Sequence, residues 1–148
     1  MIWKDLYTGN KLWLINNSGE LIGTAIDKKE LRSYAGKEVY EYTFNIEDKY
    51  GYNAYKLILY TDGEYEDVLL KKLMLADARR IAKGEHGNTN PFMLSYDKLA
   101  LLQCYHKHIC ESIEEVSNVI EEGIKNLNIL KTRADDYLKL IEKEKNNE

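Results

Sequence analysis

The chain has 148 residues, of which 44% are hydrophobic and 31% are charged, and its formal net charge is −4. This length and composition are ordinary for one globular domain with a genuine core. The negative charge gives no general attraction to nucleic acid or to anionic membranes. No apolar run approaches the roughly 18 residues of a membrane-spanning helix, so we expect no membrane partner.

The location expected from the sequence is the cytoplasm. The N-terminal residues Met-Ile-Trp-Lys-Asp lack the charged and apolar regions of a signal peptide. Two cysteines in the whole chain do not form a disulfide framework, which favours a reducing compartment.

Tyrosine dominates the aromatic residues of the first half of the chain. Nine of the twelve tyrosines precede residue 66, and tyrosine favours half-buried strands. Residues 1–7, 11–16 and 20–26 are strand-like runs, separated by Gly- and Asn-containing turns that are typical of hairpins. Asp27 and Glu30 then form a pattern like a capping box, which predicts a short helix to about Tyr34.

The clearest strand pattern covers Lys37–Asp48. Alternate residues from Tyr40 to Ile46 are apolar, and the residues between them are polar, which indicates one buried face and one wet face. A turn follows, and residues 52–61 return as a second strand. Residues 66–83 have partial helical spacing and end before Gly84, so we expect a helix there.

These elements predict an α+β fold with a small, antiparallel, Tyr-rich sheet of about five strands in β-β-β-α-β-β order. This order is shared with the OB fold. The first domain would cover residues 1–94 and include the packed helix 66–83. A helical oligomerisation segment would cover residues 95–148.

A regular stripe organises the C-terminal segment. The spacing between its members alternates between three and four residues, which keeps them on one side of an α-helix. We call the following thirteen positions the stripe: Leu99, Leu102, His106, Ile109, Ile113, Val116, Ile120, Gly123, Leu127, Leu130, Ala134, Tyr137 and Ile141.

The stripe predicts self-association as a dimer or a higher homo-oligomer. One helix over residues 96–143 would be roughly 70 Å long, whereas a domain of this size has a radius of gyration of about 15 Å. The alternative is a hairpin that bends at Gly123. The candidate interface residues are Leu102, His106, Ile109, Ile113, Val116, Ile120, Leu127, Leu130 and Tyr137.

A second candidate site binds a small anionic ligand, such as a nucleotide, near the end of helix 66–83. Basic side chains would face an irregular loop with amide donors and one aromatic ring, and such loops often carry function. The candidate ligand-binding residues are Arg79, Arg80, Lys83, His86, Asn88, Asn90 and Phe92.

No catalytic, metal or cofactor motif is expected. Cys104 and His108 share one helical face, while His106 and Cys110 share nearly the opposite face, so one ion could reach only one pair. A conventional nucleophile–base spacing is also missing, and an enzyme would have to use His86, His106 or His108.

The leading functional hypothesis is a non-enzymatic, oligomeric interaction protein that binds and modulates another macromolecule, as an inhibitor or adaptor does. The alternatives are the anionic-ligand site and single-stranded nucleic-acid binding by an OB-like sheet through Trp3, Trp13 and the tyrosines.

Overall fold

A computed structural model describes residues 1–48, 51–76 and 90–146. A 3₁₀ helix (Trp3–Asp5) precedes β1 (Lys11–Ile15), β2 (Leu21–Tyr34), β3 (Lys37–Asp48) and β4 (Gly51–Tyr60). Then come β5 (Val68–Lys71), β6 (Met74–Leu75), β7 (Phe92–Ser95) and the helix α1 (Lys98–Asn146). The protein is therefore an α+β protein, as the sequence predicts.

The strands form one curled, seven-stranded, antiparallel sheet in the order β5-β7-β1-β2-β3-β4-β6. The long strand β2 joins its two parts: residues 21–25 pair with β1, and residues from Ile26 to Tyr34 pair with β3. The register shifts between Ile26 and Lys28, where a bulge leaves Asp27 as an extra residue. Such a bulge bends a strand and increases its twist.

The core lies on the inner face of this sheet. It combines alternate residues of β1, β3 and β4 with Trp3 and Leu6 of the N-terminal segment. The alternation that the sequence shows in β3 is therefore real, since Tyr42, Phe44 and Ile46 are all buried.

The number and order of strands differ from the five-stranded β-β-β-α-β-β prediction. Residues 3–5 form a 3₁₀ helix rather than part of a first strand. The segment from Asp27 to Tyr34 is the second half of β2 and not a helix. The predicted OB-like order is therefore wrong.

The segment after Asp27 misleads because its residues, Lys-Lys-Glu-Leu-Arg, are good helix formers. Pairing with β3 overrides this local preference. In the strand, Lys28, Glu30 and Arg32 share one face, and Glu30 forms ion pairs with both neighbours.

The predicted helix at residues 66–83 is also wrong for its described part, which ends at residue 76. This part holds β5 and β6, which pair with β7 and β4. Leu69, Leu73 and Leu75 are buried, whereas Leu70 is 68% exposed. This burial follows an alternating pattern, and the helical spacing of Leu70 and Met74 was coincidental. The remainder of the predicted helix lies outside the described residues.

Helix α1 runs without a break from Lys98 to Asn146, through Gly123. The continuous-helix prediction is therefore confirmed, and the alternative hairpin at Gly123 is wrong. The chain divides into two compact units, residues 1–105 and residues 106–148. The first contains the sheet and the first two turns of α1, and the second contains the rest of α1.

Candidate protein–protein interface

The beginning of α1 is fixed by a local cap. The Asp97 carboxylate accepts a hydrogen bond from the backbone N–H of Ala100 at 3.1 Å, as an N-cap residue does. Leu101 is completely buried, and the Lys98 ammonium lies 4.6 Å from the Trp13 ring centroid. These first turns therefore belong to the packed β-rich unit.

The stripe does not lie on the buried face of these first turns. Leu101 is buried and Cys104 is half-buried, whereas Leu102 of the stripe is 41% exposed. The helix thus uses one face for its own chain and leaves the stripe uncovered from the start.

From His106 to Asn146, every side chain is exposed except Ser112, which is half-buried. Thirteen large apolar side chains in this part are between 36% and 70% exposed. They are Ile109, Ile113, Val116, Val119, Ile120, Ile124, Leu127, Ile129, Leu130, Tyr137, Leu138, Leu140 and Ile141. An apolar surface of this extent on a folded chain is typical of an interaction site.

The exposed apolar surface is wider than the stripe itself. Val119, Ile124, Leu138 and Leu140 flank it, at positions where a bare two-stranded coiled coil usually carries charges. A shallow groove of about 330 Å³ runs along Ile109, Ile113 and Val116. An apolar surface this wide is typical of a helix that packs in a bundle or on a sheet rather than in a two-stranded coiled coil.

Gly123 is a notable member of the stripe because a glycine within a helix costs about 1 kcal/mol relative to alanine. Apart from the adjoining backbone of α1 itself, a Cβ built at Gly123 would meet no described atom within 4 Å. Packing inside the chain therefore does not explain the glycine.

Charge is segregated along the same part of α1. Residues 111–122, which we call the acidic segment, contain five glutamates and no Lys or Arg. Residues 123–133, which we call the basic segment, contain Lys125, Lys131 and Arg133 and no acidic residue.

A histidine and a cysteine lie close together on α1. Cys110 Sγ lies 3.7 Å from His106 Nε2, one helical turn away. Within residues 1–48, 51–76 and 90–146, no group of three or more His, Cys, Asp or Glu residues could hold a metal ion.

The predicted anionic-ligand site falls mostly outside the described residues. The residues that lie outside the described ranges are Arg79, Arg80, Lys83, His86 and Asn88. Its two described members are dissimilar, because Asn90 is exposed and Phe92 is a core residue. The Phe92 ring packs edge-on against Tyr55, with their centroids 6.0 Å apart.

The two tryptophans considered for base stacking take part in internal contacts. Trp3 is 2% exposed, and its indole N–H donates to the Glu66 carbonyl at 2.7 Å. The edge of the Trp13 ring lies so close to Gly23 that a Cβ there would be 2.7 Å away.

Two polar clusters were not anticipated from the sequence, and one surrounds Lys29. Its ammonium lies 4.5 Å from the Tyr40 ring centroid and 5.1 Å from that of Tyr7. It donates to the Lys4 carbonyl at 2.6 Å. Burial lowers the Lys29 pKa, against an opposing effect of Asp5. The cluster ties the N-terminal segment to the sheet.

The other cluster surrounds Glu41, which is only 2% exposed although it lies on the polar face of β3. Its carboxylate accepts a hydrogen bond from the Tyr34 hydroxyl at 2.7 Å and pairs with Lys56 at 2.9 Å. Arg32 lies 3.5 Å away. Burial favours a higher Glu41 pKa, but these hydrogen bonds and charges together hold the pKa below its usual value.

The Glu41 cluster is best understood as structural because both carboxylate oxygens have partners. The alternation of β3 predicts a wet carboxylate at this position. Burial arises instead from Arg32, Tyr34 and Lys56, which come from neighbouring positions of β2 and β4. Only the strand register could have revealed it.

Comparisons with protein-family models, curated proteins and solved structures found no match to this chain. Over the ranges that the structure describes, no helix combines the length and hydropathy needed to cross a membrane. Among the residues that the structure describes, the largest apolar surface left exposed is the face of α1.

Proposed function

We propose that this protein is a self-associating interaction protein. In this proposal, copies are joined through α1 from His106 onward. The β-rich unit of each copy then presents a surface that binds and modulates another macromolecule, as an inhibitor or adaptor does. The observation that carries the proposal is the exposed apolar face of α1, with its unbroken stripe.

Energetics support association through this face. Burying the exposed half of a large aliphatic side chain contributes about 1 kcal/mol. Of the thirteen exposed side chains, the twelve that lie on or beside the stripe, all except Ile129, would contribute on the order of 10 kcal/mol from each chain, or about 20 kcal/mol per pair. Association costs about 4–15 kcal/mol in lost freedom of motion. The face is therefore large enough to hold copies together.

The same face also explains how a helix of 49 residues is maintained. Most helical stability in proteins comes from packing of an apolar face rather than from local preference. Gly123 and the β-branched residues of α1 weaken the local preference further. A second copy would supply the missing packing.

A surface for another macromolecule is less sharply defined. Tyr7, Tyr52 and Tyr60 are 67%, 68% and 47% exposed on the β-rich unit. Tyrosine is enriched in protein interfaces because its ring is apolar and its hydroxyl tolerates water. These residues support a binding role, while the anionic-ligand site around Arg79 and Arg80 stays a prediction.

Charged substitutions in the stripe test the proposal. Ile113→Asp and Leu127→Asp should each abolish the oligomer, because a carboxylate buried in an apolar interface is strongly unfavourable. Sedimentation equilibrium should give the 17.3 kDa mass of the single chain, or aggregate. Asn118→Asp is the matched control on the far side of the helix, and it should keep the wild-type mass.

Circular dichroism would show whether each variant still folds. If both stripe variants retain the wild-type oligomeric mass, the face of α1 does not join the copies. A loss of the oligomer in Asn118→Asp as well would show that the effect is not specific to the stripe.

A further inference from the structure

The apolar face of α1 continues beyond the stripe on both sides. Each four-residue step of the stripe encloses three residues, and the first and the last of these lie on opposite sides of the stripe. We call these positions between Ile109 and Ile141 the flanks. Their ten members are Cys110, Ser112, Ser117, Val119, Ile124, Asn126, Lys131, Arg133, Leu138 and Leu140.

The flanks contain no acidic residue. In a two-stranded coiled coil, these positions usually carry Glu and Lys, which form ion pairs between the two helices. Such pairs cannot form here, because all seven acidic residues between Ile109 and Ile141 lie on the opposite side of α1, around Asn118. The two charged members of the flanks, Lys131 and Arg133, are both cations whose long stems let the charge reach water.

The large side chains of the flanks would stay partly exposed in a pair of helices, because a pair buries chiefly the stripe. Four large apolar members of the flanks are between 53% and 70% exposed in the single chain, namely Val119, Ile124, Leu138 and Leu140. They belong to both sides of the stripe. Covering them requires a neighbouring helix on each side of α1.

The shallow groove along the stripe is bordered by a serine on each side. Ser112 and Ser117 line it together with Ile109, Ile113 and Val116. Because these serines are small, neighbouring helices can approach α1 closely on both sides. Ile109 and Ile113 occupy the two alternating kinds of stripe position, and isoleucine at both kinds shifts parallel helices from pairs to assemblies of three or four.

The width of the face indicates the number of helices. With 3.5 residues per turn, the flanks enclose an arc of about 150° around α1, whereas the stripe alone covers about 50°. In a ring of helices, the directions to the two neighbours differ by about 60° for three helices and about 90° for four, so the buried arc widens to about 110° or about 140°. The face of α1 fits a ring of four. A larger ring has a central channel, which Gly123 and Ala134 could not fill.

We propose that α1, from His106 onward, forms a bundle with the α1 helices of three further copies. Each helix then contacts two neighbours, one through either flank. The stripe fills the centre of the bundle, and the acidic side around Asn118 faces water. This inference rests on the self-association proposed above and adds to it the number of copies.

Sedimentation equilibrium of the purified full-length chain at micromolar concentrations measures that number. The bundle predicts four times the 17.3 kDa mass of the chain. A mass of two or three chains, or of more than four, would overturn the bundle and leave the proposed self-association standing. The mass of a single chain would overturn the self-association itself.

Charged substitutions in the flanks test their role separately. The double variant Val119→Glu and Ile124→Lys places charges that the bundle would bury between helices but that a pair leaves at its wet margin. It should reduce four copies to two while circular dichroism shows the wild-type helix content. The corresponding exchange at Leu138 and Leu140 repeats the test near the other end of α1, so the result does not depend on the folding of one variant.

The matched control is the double variant Asn118→Glu and Ile129→Lys, which introduces the same charges on the far side of α1. Ile129 is 55% exposed in the single chain and Ile124 is 53% exposed, so the two isoleucines differ mainly in their side of the helix. The control should keep four copies. Four copies in both flank variants, or two in the control, would show that the flanks do not form the contacts of a bundle.

Discussion

At the scale of single residues, Ala35 has a backbone conformation that alanine rarely adopts. Its φ is 49° and that of Gly36 is 80°, in the two-residue loop between the paired residues Tyr34 and Lys37. Positive φ at both loop positions is typical of the type I′ hairpin turn, which favours Asn-Gly. The left-handed conformation costs most L-residues roughly 1–2 kcal/mol of conformational energy, and it costs asparagine less.

Ala35→Asn should therefore stabilise the protein, by about 0.5–1 kcal/mol in the free energy of unfolding. Urea denaturation at one fixed protein concentration measures the change. Gly36→Ala is the matched opposite substitution, because a Cβ there meets no described atom within 4 Å and only the strained φ matters. It should lower the free energy of unfolding, and an increase would refute this account of the turn.

Glu41 predicts a pH dependence of stability. Its pKa is lowered in the folded state from an ordinary value of 4.5, so the unfolded chain binds more protons between the two values. The stabilising contribution is complete above pH 4.5 and is lost as the pH falls through the lower, folded-state pKa. Stability should therefore rise with pH in this range.

Glu41→Gln should flatten this acid-side slope and cost roughly 1–3 kcal/mol at pH 7, because charge-assisted hydrogen bonds are lost. Denaturation curves between pH 3 and pH 7 measure both effects. Glu38→Gln, at an exposed position of the same strand, is the control and should change stability by less than about 0.5 kcal/mol. Equal slopes in wild type and Glu41→Gln would rule out this role of the carboxylate.

At the scale of elements, the sequence predicts those whose pattern is long and regular. Strand β3 has the bounds that its alternation indicates, and β4 is displaced by one residue. Helix α1 follows from a stripe of thirteen positions. In these elements, local preference and packing agree.

The second half of β2 and the strand β5 could not be predicted in the same way. Their residues favour a helix locally, and pairing with β3 and β7 decides their conformation. The Glu41 and Lys29 clusters could not be predicted from the sequence either, because strand pairing brings their members together. At the candidate interface, the sequence predicts the residues of the stripe, and the structure adds that they are exposed.

Without the proposed second copy, α1 should lose order from His106 onward, because no side chain of residues 106–146 is fully buried. In Ile113→Asp, trypsin should cleave after Lys125, Lys131 and Arg133 at least tenfold faster than in the wild type, because local opening controls proteolysis. Mass spectrometry of the fragments locates the cuts, and Asn118→Asp is the control. Unchanged resistance would mean that α1 is stable alone.

At the scale of the whole molecule, the two units have different characters. The unit of residues 1–105 contains the sheet and its apolar core, while the described part of the second unit, residues 106–146, is helix with an exposed apolar face. The first unit buries its own apolar core, and the second leaves its apolar side chains exposed in the single chain. In the function proposed above, the first unit presents the binding surface and the second joins the copies.

Native mass spectrometry of the wild-type protein, purified gently from its own cells, tests this account most directly. One spectrum reports the number of chains and any other molecule that stays bound. The account predicts a multiple of the 17.3 kDa chain, alone or with a bound protein. A bare monomer across micromolar concentrations would contradict it, because the exposed face of α1 would then have no second copy to cover it.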